Sequence, residues 1–295
     1  MKRRDFFKKG AMISSLPFFN NLLYSNNKNS KFSNSSFNLD YAPHFGMFKN
    51  HAGADLIDQI QFMYDNGFRS IEDNGMKSRT KFVQDKISKK LESLNMRMGV
   101  FVGSSIDWEK PTLTTGKKDF NDYFLNDLKE SIEVAKRVNA TWMTIVPGFI
   151  DLKKEYGYQT VNLIEILKRG AEILEPHGLI MVLEPLNWWT NHPGQFLREI
   201  PQAYQICKSV DSPSCKILFD IYHQQIQEGN LLPNIEACWD EIDYFQIGDN
   251  PGRNEPSTGE INYKNIFKYI YNKGFKGILG MEHGNSNPNK IGEKS

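Results

Sequence analysis

Several features that define common classes of protein are missing from this 295-residue chain. Its three cysteines, Cys207, Cys215 and Cys238, share no C-x-x-C spacing, so they predict neither a disulfide framework nor a zinc knuckle. A formal net charge of +1 supplies no long-range field for polyanions, and we therefore expect no nucleic-acid partner. No apolar run is long and uninterrupted enough to predict a stable membrane span.

The composition that remains is that of an ordinary globular protein. Hydrophobic residues make up 39%, charged residues 24% and aromatic residues 13% of the chain, which excludes a disordered or collagen-like polypeptide. The length suits one large domain or two small ones, and α/β barrels commonly occupy this range as a single domain.

The N-terminus carries a separate signal. Its start is basic, and the short apolar stretch that follows is broken by Pro17, as in an export signal. The pair Arg3-Arg4, followed by Phe6-Phe7, resembles the twin-arginine pattern of bacteria. The resemblance implies a periplasmic protein, whereas the alternative reading is the basic N-terminus of a cytoplasmic one.

A polar run, NNKNSKFSNSS, separates this signal from the rest of the chain. Because its side chains have little to bury, we expect it to be a linker. We therefore divide the chain into residues 1–37, an export signal with its linker, and residues 38–290, a folded domain.

Short apolar runs alternate with longer segments of helical period from Leu39 onward, which is the pattern of repeated strand–helix units. Eight strands are predicted: Leu39–Met47, Ser70–Asp73, Met98–Val102, Trp142–Val146, Ile180–Glu184, Ile217–Asp220, Tyr244–Ile247 and Gly277–Glu282. Seven helical segments lie between them: Gly53–Asn66, Thr80–Leu94, Asp119–Val138, Gln159–Glu175, Gln195–Ser209, Asn234–Trp239 and Tyr263–Lys273.

This count predicts a single-domain α/β fold, the (β/α)8 TIM barrel. Gly67, Gly178 and Gly274 each follow a periodic segment and precede an apolar run, as expected at helix-to-strand turns. An open doubly wound sheet is the rival fold. It would usually show a G-x-G-x-x-G phosphate loop after the first strand, and none is present.

Polar residues end four of the late strands, where a barrel places its active site. They are Glu184, Asp220, Gln246 and Glu282. Each alone is more simply read as a helix cap or a solvated loop charge. Together they would gather three carboxylates and an amide oxygen at one mouth, and a divalent cation would relieve the repulsion. Such an oxygen-rich set favours Mg²⁺ or Mn²⁺.

Four stretches surround these strand ends: LEPLN at 183–187, FDIYHQQ at 219–225, FQIGDNPGRNEPSTGEINY at 245–263 and GMEHG at 280–284. In these stretches the chain resembles the hydroxypyruvate isomerase family, one of the xylose-isomerase-like barrels that also include ketose 3-epimerases. PGRNEP with TGEINY is the most specific part, and the match extends in register from about Leu39 to Pro288.

The resemblance implies roles for six residues. Glu184, Asp220, Gln246 and Glu282 would be metal ligands, with Gln246 where epimerase relatives carry His. Glu184 and Glu282 would also act as the catalytic acid/base pair on opposite faces of the substrate. His223 and Arg253 would contact substrate oxygens, and the guanidinium of Arg253 suits a carboxylate or a developing oxyanion.

Several side chains have a structural reading beside the functional one. His223 could be a satisfied interior histidine, and Arg253 could pair with Glu255 or Asp249. Trp188-Trp189 could line the mouth or cap the core. His44 and Glu72 end the first two strands and could reach the pocket.

The function expected from these features is a metal-dependent isomerase that interconverts a short hydroxy-aldehyde and hydroxy-ketone of the hydroxypyruvate/tartronate semialdehyde type. Glu-mediated proton transfer through an enediolate would need no organic cofactor. The alternatives are a ketose 3-epimerase, an inosose dehydratase-like sugar enzyme, or an exported sugar-binding barrel without turnover. The expected partner is a small hydroxy-carbonyl or sugar substrate, and the sequence is compatible with a homo-oligomer.

Overall fold

The computed structural model describes residues 37–294 of the chain. The predicted export signal and its linker, apart from Phe37, lie outside the described residues and stay a prediction. In the described part, no helix combines the length and the apolar character that crossing a membrane requires.

Nine short strands, all paired in parallel, form the centre of the described residues. They are β1 (Asp40–Pro43), β2 (Ser70–Ile71), β3 (Arg97–Met98), β4 (Phe101–Val102), β5 (Trp142–Ile145), β6 (Ile180–Leu183), β7 (Cys215–Asp220), β8 (Ile242–Ile247) and β9 (Ile278–Met281). Seven of them pair in the order β1-β9-β8-β7-β6-β5-β4, and β2 pairs with β3.

Backbone hydrogen bonds close these strands into a barrel. Glu72 N donates to Pro43 O at 3.1 Å, which joins the end of β2 to β1. Strands β3 and β4 together correspond to one predicted strand, which is interrupted at Gly99-Val100. Asp73, two residues after β2, donates from its backbone N to Val100 O at 3.2 Å and so pairs with the interrupted stretch. Counting β3 and β4 as one gives eight barrel strands, so the predicted (β/α)8 fold is confirmed.

Helices follow the strands in the predicted alternation. They are α1 (Lys49–Ala52), α2 (Leu56–Asp65), α3 (Lys81–Leu94), α4 (Lys118–Val138), α5 (Tyr156–Leu174), α6 (Ile200–Val210), α7 (Ile221–Gln227), α8 (Leu231–Ala237), α9 (Tyr263–Asn272) and α10 (Asn289–Gly292). Helix α6 begins five residues after the predicted Gln195, because Gln195 instead bridges to Phe149 in the loop after β6.

Two apolar clusters form the core. The larger one lies between the strands and the surrounding helices. A smaller cluster fills the inside of the barrel, and its members are Ala42, Val100, Trp142, Val182, Leu218, Tyr244 and Ile278. Because strand residues alternate between faces, the side chains two positions after Val182, Leu218 and Tyr244 also face inward, at the carboxyl ends of the strands.

Candidate active site

The inward-facing positions at the carboxyl ends of β6, β7 and β8 are Glu184, Asp220 and Gln246, and Glu282 follows β9. The first three are buried, and the Glu282 side chain is about one quarter exposed. The structure thus places all four predicted ligand positions at one end of the barrel, although they lie on separate strands.

Arg253 joins two of these carboxylates. It lies in the loop after β8 in the left-handed backbone region, with φ of 51°. Its Nη2 lies 2.9 Å from Glu282 Oε2 and 3.2 Å from Asp220 Oδ2, and its Nε donates to Glu282 O at 3.1 Å. A purely structural role for Arg253 was predicted to involve an ion pair with Glu255 or Asp249. The contacts above instead place its guanidinium among the carboxylates of the site.

Negative charge in the site exceeds what Arg253 offsets. Burial, followed by the charges of Glu282 and Asp220, raises the pKa of Glu184 well above its usual value. Burial also raises the pKa of Asp220 and of Glu282, and in both cases Arg253 opposes the shift without reversing it. An additional cation would therefore stabilise the ionised cluster.

The Gln246 side chain supplies an independent indication of a cation. Its Oε1 atom is buried and has no hydrogen-bond partner among the residues that the structure describes. A buried acceptor with no partner is uncommon in folded proteins. An amide oxygen beside three carboxylates is the donor set that Mg²⁺ and Mn²⁺ prefer, so the residues present fit such an ion.

A second ligand set is also geometrically available. Ligand atoms of Glu184, Asp220 and His223 all lie within 4.8 Å of one another. The hydrogen bonds of His223 disfavour it as a ligand. Its Nδ1 accepts from the Asn187 backbone N–H at 3.4 Å and lies 2.6 Å from Asn187 Nδ2.

The orientation of Asn187 fixes these roles. Its Oδ1 accepts from Thr190 N at 3.0 Å and Asn191 N at 3.1 Å, so Nδ2 must face the imidazole. Nδ1 of His223 is therefore the acceptor, and Nε2 carries the proton. Burial, with a contribution from Arg253, lowers the pKa of His223 well below its usual value, so the ring is neutral. Nε2–H, which lies 3.7 Å from Asp220 Oδ2, is a donor.

A small cavity opens beside Glu282, on the side of β1 and β2. Its volume is about 310 Å³, and its lining includes His44, Glu72 and Asn74. Both His44 and Glu72, which end the first two predicted strands, thus reach a cavity that Glu282 shares. Asn74 Nδ2 donates to Glu282 Oε1 at 3.1 Å. A volume near 300 Å³ is at the small end of ligand pockets and suits a short substrate.

Aromatic side chains border the other side of the site. His192 stacks on Trp108 with ring centroids 4.9 Å apart, and its ring centroid lies 5.4 Å from that of His223. Trp188 donates from Nε1 to Gln195 O at 2.6 Å, within its own loop. Trp189 is 72% exposed, so this side chain does not cap the core.

Sequence reasoning did not single out Asn74 or Asn187 as individual site residues. Both follow a strand end by three or four positions, at the end of the barrel where the site lies. This position just after a strand end was the feature of the sequence that could have identified them. Asn187 also lies within the LEPLN stretch, but its contact with His223 spans 36 residues of sequence.

Comparison with known proteins assigns the chain to a family. The chain is 38% identical to the hydroxypyruvate isomerase of Escherichia coli K12 over 122 residues, which is 41% of this chain and 47% of that protein. The match thus spans about half the length of that relative. A 2-oxo-tetronate isomerase from Cupriavidus necator is 24% identical over 240 residues, covering 80% of this chain and 89% of that protein.

A crystal structure from Brucella melitensis, titled AP endonuclease, family 2, superposes with a TM-score of 0.76 at 23% identity. The superposition covers 86% of this chain and 96% of that chain, and supports the fold alone. Residues 60–295 match the family described as xylose isomerase-like TIM barrel. With its eight parallel barrel strands, the chain therefore belongs to the xylose isomerase-like TIM barrel family.

Proposed function

We propose that this protein is a metal-dependent isomerase that interconverts a short hydroxy-aldehyde and hydroxy-ketone of the hydroxypyruvate/tartronate semialdehyde type. The observation that carries the proposal is the cluster of three carboxylates, two of them buried, beside a Gln246 Oε1 that has no hydrogen-bond partner among the described residues. The names of the Escherichia coli and Cupriavidus necator relatives, both isomerases of short hydroxy-carbonyl acids, support the reaction class.

Glu184, Asp220, Gln246 and Glu282 would hold the ion, Mg²⁺ or Mn²⁺ by donor type. When bound, the ion would act as a Lewis acid that polarises the substrate carbonyl. Arg253 touches Asp220 and Glu282 and so reduces the negative charge facing the substrate.

Glu184 and Glu282 are the proposed proton carriers. One carboxylate removes the C–H proton next to the carbonyl, which leaves the electron pair in an enediolate. A proton then adds to the former carbonyl carbon, and the hydroxyl proton moves between the two oxygens. Burial raises the pKa of both groups above the usual value of a glutamate, which favours holding a proton between the two steps.

Two further residues would orient the substrate. His223 can donate only through Nε2–H, because Asn187 occupies Nδ1. This donor suits a substrate hydroxyl or carbonyl oxygen. The Arg253 guanidinium would bind the carboxylate of a keto acid, since its planar group offers more than one donor.

Proton exchange with solvent tests the proposal. The metal-free protein is supplied with Mg²⁺ or Mn²⁺ and a panel of short keto acids, ketoses and an inosose in D₂O. We expect NMR to show deuterium incorporation and isomer formation with a short hydroxy-keto acid, and no activity after chelation. Glu282→Gln should exchange much more slowly.

Exchange limited to ketoses would favour the epimerase alternative, and loss of water from the inosose would favour a dehydratase. The mechanism is wrong if no compound exchanges, or if Glu282→Gln exchanges as fast as the unaltered protein. The first of these results would leave a sugar-binding barrel without turnover.

A further inference from the structure

Arg79 lies between β2 and α3, and the proposed chemistry does not use it. Its Nε and Nη2 atoms donate to the two carboxylate oxygens of Asp73, with Nη2 at 3.2 Å from Oδ1. The guanidinium carbon also lies 5.1 Å from the centroid of the Phe45 ring, within the range of a cation–π contact. The ion pair and the ring together fix the position of the guanidinium.

The same guanidinium retains donors for a ligand. The N–H groups of Nη1 form no hydrogen bond with any of the residues that the structure describes. The Arg79 side chain is 26% exposed, and it lines the cavity of about 310 Å³ that Glu282 shares. A ligand in this cavity can therefore accept a hydrogen bond from Arg79 without breaking the pair with Asp73.

The cavity lies beside the proposed proton carrier Glu282. Arg253 Nη2 contacts Glu282 Oε2 at 2.9 Å, whereas Asn74, which lines the cavity, contacts Oε1 at 3.1 Å. Arg253 and the cavity thus meet this carboxylate at different oxygens. A keto acid whose carboxylate is bound by Arg253 and whose reacting carbons lie at Glu282 can extend its remaining carbons into the cavity.

The residues around the cavity favour a neutral group at this end of the substrate. Its lining contains the carboxyl groups of Glu72, Asp73 and Glu282. Arg79 is the one lysine or arginine among the described residues that line it. Because Arg79 is already paired with Asp73, it supplies no net charge for a carboxylate or a phosphate. A hydroxyl group needs none, and it can accept from the guanidinium while donating to a neighbouring oxygen.

We propose that Arg79 is a specificity-determining residue that binds a hydroxyl group on the substrate tail, beyond the carbons that react. The preferred substrate is then a hydroxy-keto acid of at least four carbons, with its carboxylate at Arg253 and its tail hydroxyl in the cavity. This inference rests on the proposed function. A hydrogen bond from a charged donor commonly changes affinity by about 10–100-fold, which sets the expected effect.

Binding of two sugar acids that lack a carbonyl group tests the proposal without turnover. One is 2,3,4-trihydroxybutanoate and the other is its 4-deoxy analogue, each supplied in its threo and erythro forms. Isothermal titration calorimetry on the full chain with Mg²⁺ should give a Kd for the trihydroxy acid, in one of the two forms, about 10–100-fold lower than for its analogue. Arg79→Met, which keeps an unbranched side chain beside Phe45, should abolish this preference.

Arg97→Met is the matched control. Arg97 also pairs with one carboxylate, that of Asp40, and stacks on an aromatic ring, that of Trp142, but it begins β3 at the opposite end of the barrel. This variant should keep the full preference for the trihydroxy acid. If Arg79→Met does not fold, Arg79→Lys keeps the charge beside Asp73 but has a single nitrogen for both partners, and the preference should fall there as well.

The proposal is overturned if the unaltered protein binds neither acid or both acids equally, or if Arg97→Met lowers the preference as much as Arg79→Met does. It is also overturned if Arg79→Met keeps the preference, because a purely structural role would weaken the binding of both acids alike.

Proton exchange in D₂O tests the proposed function separately. Exchange of a short keto acid, together with equal binding of the two sugar acids, overturns the role of Arg79 alone. Selective binding of the trihydroxy acid without any exchange overturns the activity and leaves the role of Arg79 in place.

Discussion

The substitution Asn187→Asp should reverse the proton arrangement of His223. In the native site, the amide group of Asn187 faces Nδ1 as a donor, 2.6 Å away, and its Oδ1 is held by two backbone N–H groups. The new carboxylate would keep those two contacts and turn an acceptor toward the ring. Nδ1 would then have to carry a proton, and the pKa of His223 should rise from its lowered value.

The size of the effect follows from the contacts that change. The bond that the amide donates to Asn191 Oδ1 is lost, whereas the bond to His223 is reversed, so the free energy of unfolding should fall by about 1 kcal/mol. If Nε2–H binds a developing oxyanion, its loss should lower kcat by roughly 10²–10³. Mn²⁺ affinity should change little, because His223 is not a proposed ligand.

Nitrogen-15 NMR of histidine-labelled protein measures the proton position directly. We expect an unprotonated Nδ1 in the native protein and a protonated one in Asn187→Asp. Asn191→Ala is the control, since it removes one acceptor of Asn187 while Thr190 N still orients the amide. The reasoning is refuted if Nδ1 is protonated in the native protein, or if Asn187→Asp leaves both the Nδ1 resonance and kcat unchanged.

Two further predictions concern charge in the site. Arg253→Lys removes a guanidinium that contacts the side chains of Asp220 and Glu282 and the Glu282 backbone oxygen. Steady-state kinetics should show kcat/KM lowered by about 10–100-fold. An unchanged kcat/KM would contradict a role for the guanidinium group. The metal-free protein should lose thermal stability as pH rises. Glu184 has a raised pKa in the folded state, so its contribution is complete at low pH and is lost as pH rises through that pKa. Saturating Mn²⁺ should reverse this trend in thermal scans, because ionised ligands bind the ion more tightly. Identical pH profiles of thermal stability with and without Mn²⁺ would count against Glu184 as a metal ligand.

The barrel and the clustering of Glu184, Asp220, Gln246 and Glu282 could be predicted from the sequence because both follow from the local pattern of apolar and polar residues. Short apolar runs that end in Glu184, Asp220 or Glu282 indicate strand ends. A barrel brings the carboxyl ends of its strands to one mouth. The cluster could therefore be predicted although its residues lie far apart in the sequence.

Contacts between side chains of distant segments could not be predicted in the same way. The hydrogen bond that Tyr244 Oη donates to Glu72 Oε2 joins residues 172 positions apart, and it depends on the space left by Gly280. A glycine in a strand has several explanations until its neighbours are known.

Helix α7 was missed for a local reason. Its seven residues are too few to show helical period, and it begins directly after β7. The Asp220 side chain caps it by accepting from His223 N at 3.1 Å. The same cap places His223 beside Asp220, so a site contact arises from an element that periodicity could not reveal.

The most direct test of the metal-dependent account is a crystal structure of the full chain soaked with Mn²⁺, with the ion located by anomalous scattering. The account predicts one strong peak in contact with Glu184, Asp220, Gln246 Oε1 and Glu282. No peak at this position, or a peak held by Glu184, Asp220 and His223 Nε2 without Gln246, would contradict it.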